Sequence, residues 1–259
     1  MIGIFSVCNL NLMNIRGLLN LRVLNSFILK MFIHKDILEG LDEIKDDSMD
    51  LIFTSPPYWK GFEYESNFNS YLQYINWCKV WTKKLKPKLK DDGFFLLNIS
   101  NDTETTTKAF ELMQVCIDNG WKLHDTIIWH VYNRQPANTE RHLTNEHEYI
   151  FVFRHHSNNV VINKDKLWKE YPEVFASKKV GNVWKIPFKV RKEKLKRTIG
   201  KWGSSGFPEL LCEIVLKLFS KLDSFVLDCF CGHFTLGKVG LQLNRNMFGI
   251  DKINYTSSS

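Results

Sequence analysis

The sequence predicts an α/β fold, a mostly parallel β-sheet with helices on both faces. From residue 31 onward, short apolar runs alternate with stretches of helical periodicity, as in successive βαβ units. Phe94 to Ile99 reads as a continuous apolar run, the pattern of a strand buried on both faces. Asp36, Ser55, Asp228 and Asp251 close predicted strands at the carboxyl edge, where such sheets bind ligands.

The elements follow in order. Residues 1–30 hold no Asp or Glu and are rich in Leu, Ile, Phe and Asn, with Arg16 and Arg22 interrupting the apolar run. The run is too short to span a membrane, and no Ala-x-Ala-like cleavage site follows it. It reads as an extension ahead of a domain over 31–255. Met31 to His34 is a strand and Ile37 to Ile44 a short helix. Asp46-Asp47-Ser48 is a turn, and Leu51 to Thr54 a buried strand. Tyr71 to Leu85 is a helix with Leu72, Ile75, Val80 and Leu85 near helical spacing, ended by Pro87. Asp91-Asp92-Gly93 is a turn before the strand Phe94–Ile99. Thr105 to Asp118 is a helix stopped by Asn119-Gly120. Thr126 to Val131 and Tyr149 to Phe153 are strands. A helix runs from Phe207-Pro208-Glu209 to about Lys221, Ser224 to Leu227 is a strand, Thr235 to Leu243 a helix, and Met247 to Ile250 the last strand.

Residues 154–206 differ in character. Apolar residues thin out, and from Lys185 to Lys201 the basic residues Lys185, Lys189, Arg191, Lys192, Lys194, Lys196, Arg197 and Lys201 stand against Glu193 alone. This is either a solvated face or a phosphate-contacting, target-recognising insertion. The formal charge of +7 favours a polyanionic partner. The cysteines are scattered and lack zinc-finger spacing, and His142, His147, His155 and His156 have no matching third ligand nearby. No metal site, no disulfide and a cytoplasmic location are therefore expected.

Two stretches carry chemistry. Ser55-Pro56-Pro57-Tyr58 follows a strand. The prolines stiffen the exit from the sheet, Ser55 offers a hydroxyl, the carbonyl of Pro56 has no competing donor from the next residue, and Tyr58 offers a flat face. An acceptor-rich pocket with an aromatic wall suits a planar group bearing an NH2. Asp228-Cys229-Phe230-Cys231-Gly232-His233-Phe234-Thr235 is strand, acid, glycine turn, helix, and Asp251 lies about twenty residues on. A glycine turn lets backbone approach a ligand, and an acid at that distance accepts from ribose hydroxyls. The NAD fingerprint Gly-x-Gly-x-x-Gly is absent.

Together these motifs resemble the DNA amino-methyltransferases of the restriction–modification type. Their order, Ser-Pro-Pro-Tyr first and cofactor loop last, is that of the circularly permuted β group. Phe32 to Asp36, Leu143 to Tyr149, Val183 to Pro187 and Gly206 to Glu209 resemble further segments of the family, so the likeness covers roughly 31–255. It implies a Rossmann-like methyltransferase fold with a seven-stranded sheet and one antiparallel strand. It also implies S-adenosylmethionine as cofactor, bound by Asp36, Phe207, Asp228, Phe230, Cys231, Gly232, Thr235 and Asp251. Ser55, Pro56, Pro57 and Tyr58 would hold a base flipped from duplex DNA, with Lys189, Arg191, Lys192, Lys194, Lys196 and Arg197 on phosphates. A cognate restriction endonuclease would be a functional partner. Ser before Pro-Pro favours the N4 amine of cytosine over the N6 amine of adenine. The sequence departs from the family at Cys229, commonly Pro, and at Phe234, commonly Gly. If position 234 needs positive φ, Phe is costly there, which keeps open a catalytically impaired DNA-binding relative.

Overall fold

The computed structural model describes residues 32–59, 68–133, 140–155, 160–165, 167–177, 179–188 and 206–253. By contacts the chain divides into Met1–Phe32 and Ile33–Ser259. The predicted basic contacts Lys189, Arg191, Lys192, Lys194, Lys196 and Arg197 lie outside the described residues.

The strands are β1 (Phe32–His34), β2 (Met49–Thr54), β3 (Leu89–Ile99), β4 (Lys122–His130), β5 (His147–Arg154), β6 (Phe175–Ser177), β7 (Lys179–Lys185), β8 (Phe225–Asp228) and β9 (Asn246–Asp251). The helices are α1 (Ile37–Glu43), α2 (Tyr71–Leu85), α3 (Lys108–Asp118), the one-turn α4 (Leu167–Glu170), α5 (Glu209–Phe219) and α6 (Thr235–Gln242). One sheet runs β1-β9-β8-β2-β3-β5-β4-β7-β6. β2 is parallel to β3 and β8, and β8 to β9, whereas β5 is antiparallel to both β3 and β4.

The seven expected strands form, with the single antiparallel insert among them. The sheet nevertheless has nine strands. β6 and β7 extend it beyond β4, and both come from the segment that reads as an insertion. Alternation misses them because β7 exposes most of its side chains and buries Trp184. Asp91-Asp92-Gly93 is not a turn between elements. It is an irregularity within β3, where the register slips between Met49↔Leu89 and Leu51↔Phe94.

Helix α2 corrects a second reading. Its buried face is Tyr74, Cys78, Trp81 and Leu85, while Leu72 is 67% and Val80 51% exposed. Large aromatics outweigh an aliphatic pattern when they can bury more surface. Ser70 caps this helix by accepting from the Gln73 N–H. One sheet face, with Ile52, Phe95, Leu97, Leu227 and Ile250, shares its core with α1, α2 and α3. The opposite face meets α5 and the turn before it: Phe53 stacks on Phe207 at 4.3 Å and Phe94 meets Phe219 edge-on. With both faces covered, the open carboxyl edge is where a ligand can enter.

Candidate active site

β2 ends at the centre of the sheet, flanked by β8 and β3, so the loop it feeds lies between their carboxyl ends. Pro56 is buried and Ser55, Pro57, Tyr58 and Trp59 are partly so. The loop is pinned from α2, where the Tyr74 hydroxyl donates to the Pro57 carbonyl at 2.8 Å. Trp59 turns the chain with φ of 52° and sets its ring against Phe68 and Tyr74.

Ser55 Oγ donates to Tyr58 Oη at 2.8 Å. That hydroxyl has two acceptors in reach, Asn98 Oδ1 at 2.9 Å and Glu148 Oε2 at 3.1 Å. The antiparallel course of β5 makes this meeting possible. Its first residues lie beside the last residues of β3, with Asn98 opposite Ile150. Glu148 is two residues from Ile150 and therefore on the same face. The Asn98 amide is oriented by its Nδ2, which donates to the Tyr149 carbonyl at 3.1 Å. Asn98 and Glu148 are 1% and 5% exposed.

The second motif lies next door. Thr54 Oγ1 donates to Asp228 Oδ1 at 2.8 Å and accepts from the Cys229 N–H at 3.1 Å. One hydroxyl thus ties the residue before Ser55 to the start of the glycine loop. Asp228 also accepts from the Phe230 N–H, and Asp251 accepts from the N–H groups of Gly232 and Ile253. Burial pushes the Asp228 carboxyl up to about 7, with the Asp251 charge adding and the Thr54 and Phe230 donors opposing. Burial also raises Asp251, against the two backbone donors. A buried and a partly buried carboxylate at one loop suit a cationic ligand. Gly232 has φ of 48°, and a Cβ there would meet nothing within 4 Å, so the backbone presents an open cradle.

The other predicted residues fall as follows. Phe230 packs between Trp77 and Trp81. Cys231 is buried, and its N–H donates to the Ile250 carbonyl. Thr235 opens α6, and Gly206 lies close to its hydroxyl. Phe207 is 9% exposed, its ring committed to Phe53. Asp36 caps α1 through the Leu38 N–H at the end of β1. Phe234 does adopt the left-handed region, with φ 59° and ψ 38°. Yet its ring is buried and does not stand in the cradle. It fills a slot over Gly237 and Gly249, where an added Cβ would lie 2.2 and 2.6 Å from ring carbons.

Sequence reasoning missed Thr54, Tyr74, Asn98 and Glu148. Asn98 carried a signal, as an amide inside an otherwise apolar strand, and so did Glu148, an acid opening one. A buried polar group in such a place needs a partner. Among the described residues no group of His, Cys, Asp and Glu could hold a metal ion, and no helix is long and apolar enough to cross a membrane.

The Ser55-Pro56-Pro57-Tyr58 loop and the glycine loop thus lie side by side at the carboxyl edge of the sheet, the arrangement expected of an α/β amino-methylase. Residues 49–257 match the model of the DNA methylase family that groups N6 and N4 enzymes, and the chain belongs to that family. The Type II methyltransferase M.MwoI of Methanothermobacter wolfeii is 30% identical over 83% of this chain; the match spans 31% of that relative's length. Two solved structures share the fold. The PvuII DNA methyltransferase, cytosine-N4-specific, matches with a TM-score of 0.70 at 20% identity over 86% of this chain and 81% of that one. The M1.HpyAVI–SAM complex matches at 0.59 and 20% identity over 86% and 92%.

Proposed function

We propose that this protein is an S-adenosylmethionine-dependent DNA methyltransferase that acts on the N4 amine of cytosine. The observation that carries this reading is the Thr54–Asp228 hydrogen bond, which brings the amine-holding loop against the cofactor loop. When bound, the cofactor supplies an electrophilic methyl group. Gly232 offers backbone to its amino-acid end, Asp228 and Asp251 offer negative charge, and Phe230, Cys231, Thr235, Asp36 and Phe207 frame the rest. Both Asp251 oxygens already hold backbone N–H groups, but a carboxylate has lone pairs left for ribose hydroxyls.

The exocyclic amine is a poor nucleophile because its lone pair is delocalised into the ring. The protein's task is to orient it for in-line attack. The Ser55 proton is committed to Tyr58, so Ser55 Oγ presents lone pairs to the NH2, and the Pro56 carbonyl is the second acceptor. The Tyr58 ring supports the base, which has left the duplex at a cost of a few kcal/mol. Ser55 in place of an acid or amide favours cytosine, with adenine N6 as the alternative product. The lysines and arginines over 189–197 supply phosphate contacts. A restriction–modification setting with a cognate endonuclease fits the family.

The test is incubation of the protein with labelled S-adenosylmethionine and mixed-sequence duplex DNA, followed by mass spectrometry of the nucleosides. N4-methylcytosine is expected. N6-methyladenine would transfer the reading to the other amine, and no methylated base would refute it.

A further inference from the structure

Methyl transfer to an NH2 leaves a proton to be removed. When the exocyclic nitrogen takes the methyl group, the carbon–sulfur bond breaks with its electron pair on sulfur. The nitrogen then carries positive charge until one N–H bond breaks. A solvent molecule can take that proton only if the closed site admits one.

The geometry of the loop offers another route. Ser55 Oγ faces the amine with lone pairs and donates to Tyr58 Oη at 2.8 Å, and Tyr58 donates onward to an acceptor at its far side. Of the two acceptors there, the Asn98 amide oxygen at 2.9 Å is a very weak base. The Glu148 carboxylate at 3.1 Å is the one that can take a proton. The Tyr58 hydroxyl has one proton to give, and in the relay it points to Glu148, while the Asn98 amide is anchored through its Nδ2 to the Tyr149 carbonyl. The side chains are fixed from separate elements: Ser55 and Tyr58 on the loop after β2, Asn98 on β3, Glu148 on β5.

We propose that Glu148 accepts the proton that leaves the target amine, relayed through Ser55 and Tyr58. This deepens the methyl-transfer reading and rests on it. The step balances: the amine N–H proton passes to Ser55 Oγ, the Ser55 proton to Tyr58 Oη, and the Tyr58 proton to Glu148 Oε2. Ser55 and Tyr58 end neutral as they began, Glu148 ends as the acid, and the methylated amine ends neutral. The proton returns along the same chain to solvent once the product base has left. Glu148 does not touch the base; it fixes the direction of the chain, because an ionised carboxylate only accepts.

The test uses the full chain with Glu148→Gln, Tyr58→Phe and the double variant. Gln keeps the acceptor oxygen toward Tyr58 but cannot bind the proton. Calorimetric affinity for S-adenosylmethionine is expected to be unchanged, which shows that the fold and the cofactor loop are intact. Single-turnover methyl transfer is expected to fall by about 10²–10⁴-fold in each single variant, without a matching change in KM for DNA. The double variant should be no worse than the more impaired single one, because both break one chain. Without cofactor or DNA, the infrared difference between wild type and Glu148→Gln should show an ionised carboxylate whose band shifts in Tyr58→Phe. Wild-type rates in Glu148→Gln, multiplying losses in the double variant, or a carboxylate band blind to Tyr58 would each overturn the proton route alone. A wild-type protein that methylates neither base overturns the methyl-transfer reading and this route with it.

Discussion

At the scale of single residues, Phe234 shows how a local rule and its packing context compete. A bulky residue in the left-handed region costs on the order of 1–3 kcal/mol. Its ring, however, is wedged over Gly237 and Gly249. Deleting a buried Phe side chain costs about 3–5 kcal/mol through lost burial and the cavity left behind. Phe234→Gly is therefore expected to destabilise the protein by about 2 kcal/mol net in urea denaturation, although it removes a strained backbone angle; a stability gain would show that the strain dominates. Gly249→Ala should destabilise too, since its Cβ would collide with the same ring. The substitution looked like damage in the sequence because the backbone requirement is legible there and the slot is not: Gly237 and Gly249 lie on different elements. Ser55, Tyr58, Asp228 and Asp251 were legible because each closes a strand or follows one. Asn98 and Glu148 were legible only as polar groups in need of a partner and Thr54 not at all, because their roles exist only once parallel and antiparallel neighbours are in register.

At the scale of elements, helix α2 and the loop between β8 and α6 carry separate predictions. Trp81 is fully buried and meets Phe95 and Phe230, whereas Leu72 lies mostly in solvent. Trp81→Ala should cost about 3–5 kcal/mol and Leu72→Ala less than about 0.5 kcal/mol, measured by thermal or urea unfolding. Equal effects would contradict the face assignment. The glycine loop makes a pH prediction. Burial lifts the Asp228 carboxyl to about 7 in the folded protein, well above the roughly 3.9 of an exposed Asp. Below that lower value both states hold the proton and burial costs nothing extra. As pH rises from about 4 to about 7 the unfolded chain ionises first, so stability falls, and above about 7 the loss is complete, on the order of a few kcal/mol. Asp228→Asn should remove this decline, so the stability difference between variant and wild type should grow across that window and then level off. A difference that stays flat with pH would mean that Asp228 is ionised at no cost. Helix boundaries were read closely from caps and prolines, because those signals are local. The inward face of α2 was not, because which side meets the sheet depends on aromatic partners far along the chain.

At the scale of the whole molecule, the order of strands and helices was legible, since alternation of period and length survives without any contact information. The extra strands β6 and β7 were not, because β7 exposes most of its side chains and so shows no apolar alternation, and β6 is only three residues long. The composition changes near Met31, where an acid-free stretch gives way to strand, Asp36 and helix. A chain beginning at Met31 is expected to keep the melting temperature and the methyl transfer of the full one; a sharp drop in melting temperature would make residues 1–30 part of the core. Charge supplies the last prediction. The net +7 is concentrated in part over residues 185–201, where basic side chains stand against Glu193 alone. If those side chains meet phosphates, each contact displaces condensed counterions, and log K for DNA falls against log salt with a slope of about 0.9 per contact. Replacing Lys192, Lys194 and Lys196 with Gln should weaken binding to all duplex sequences alike and flatten that slope by up to about 2.7, while leaving S-adenosylmethionine affinity unchanged, since the cofactor loop is built from β8, α6 and β9. An unchanged slope would assign these lysines to a solvated face, and a loss confined to one DNA sequence would assign them to base reading instead.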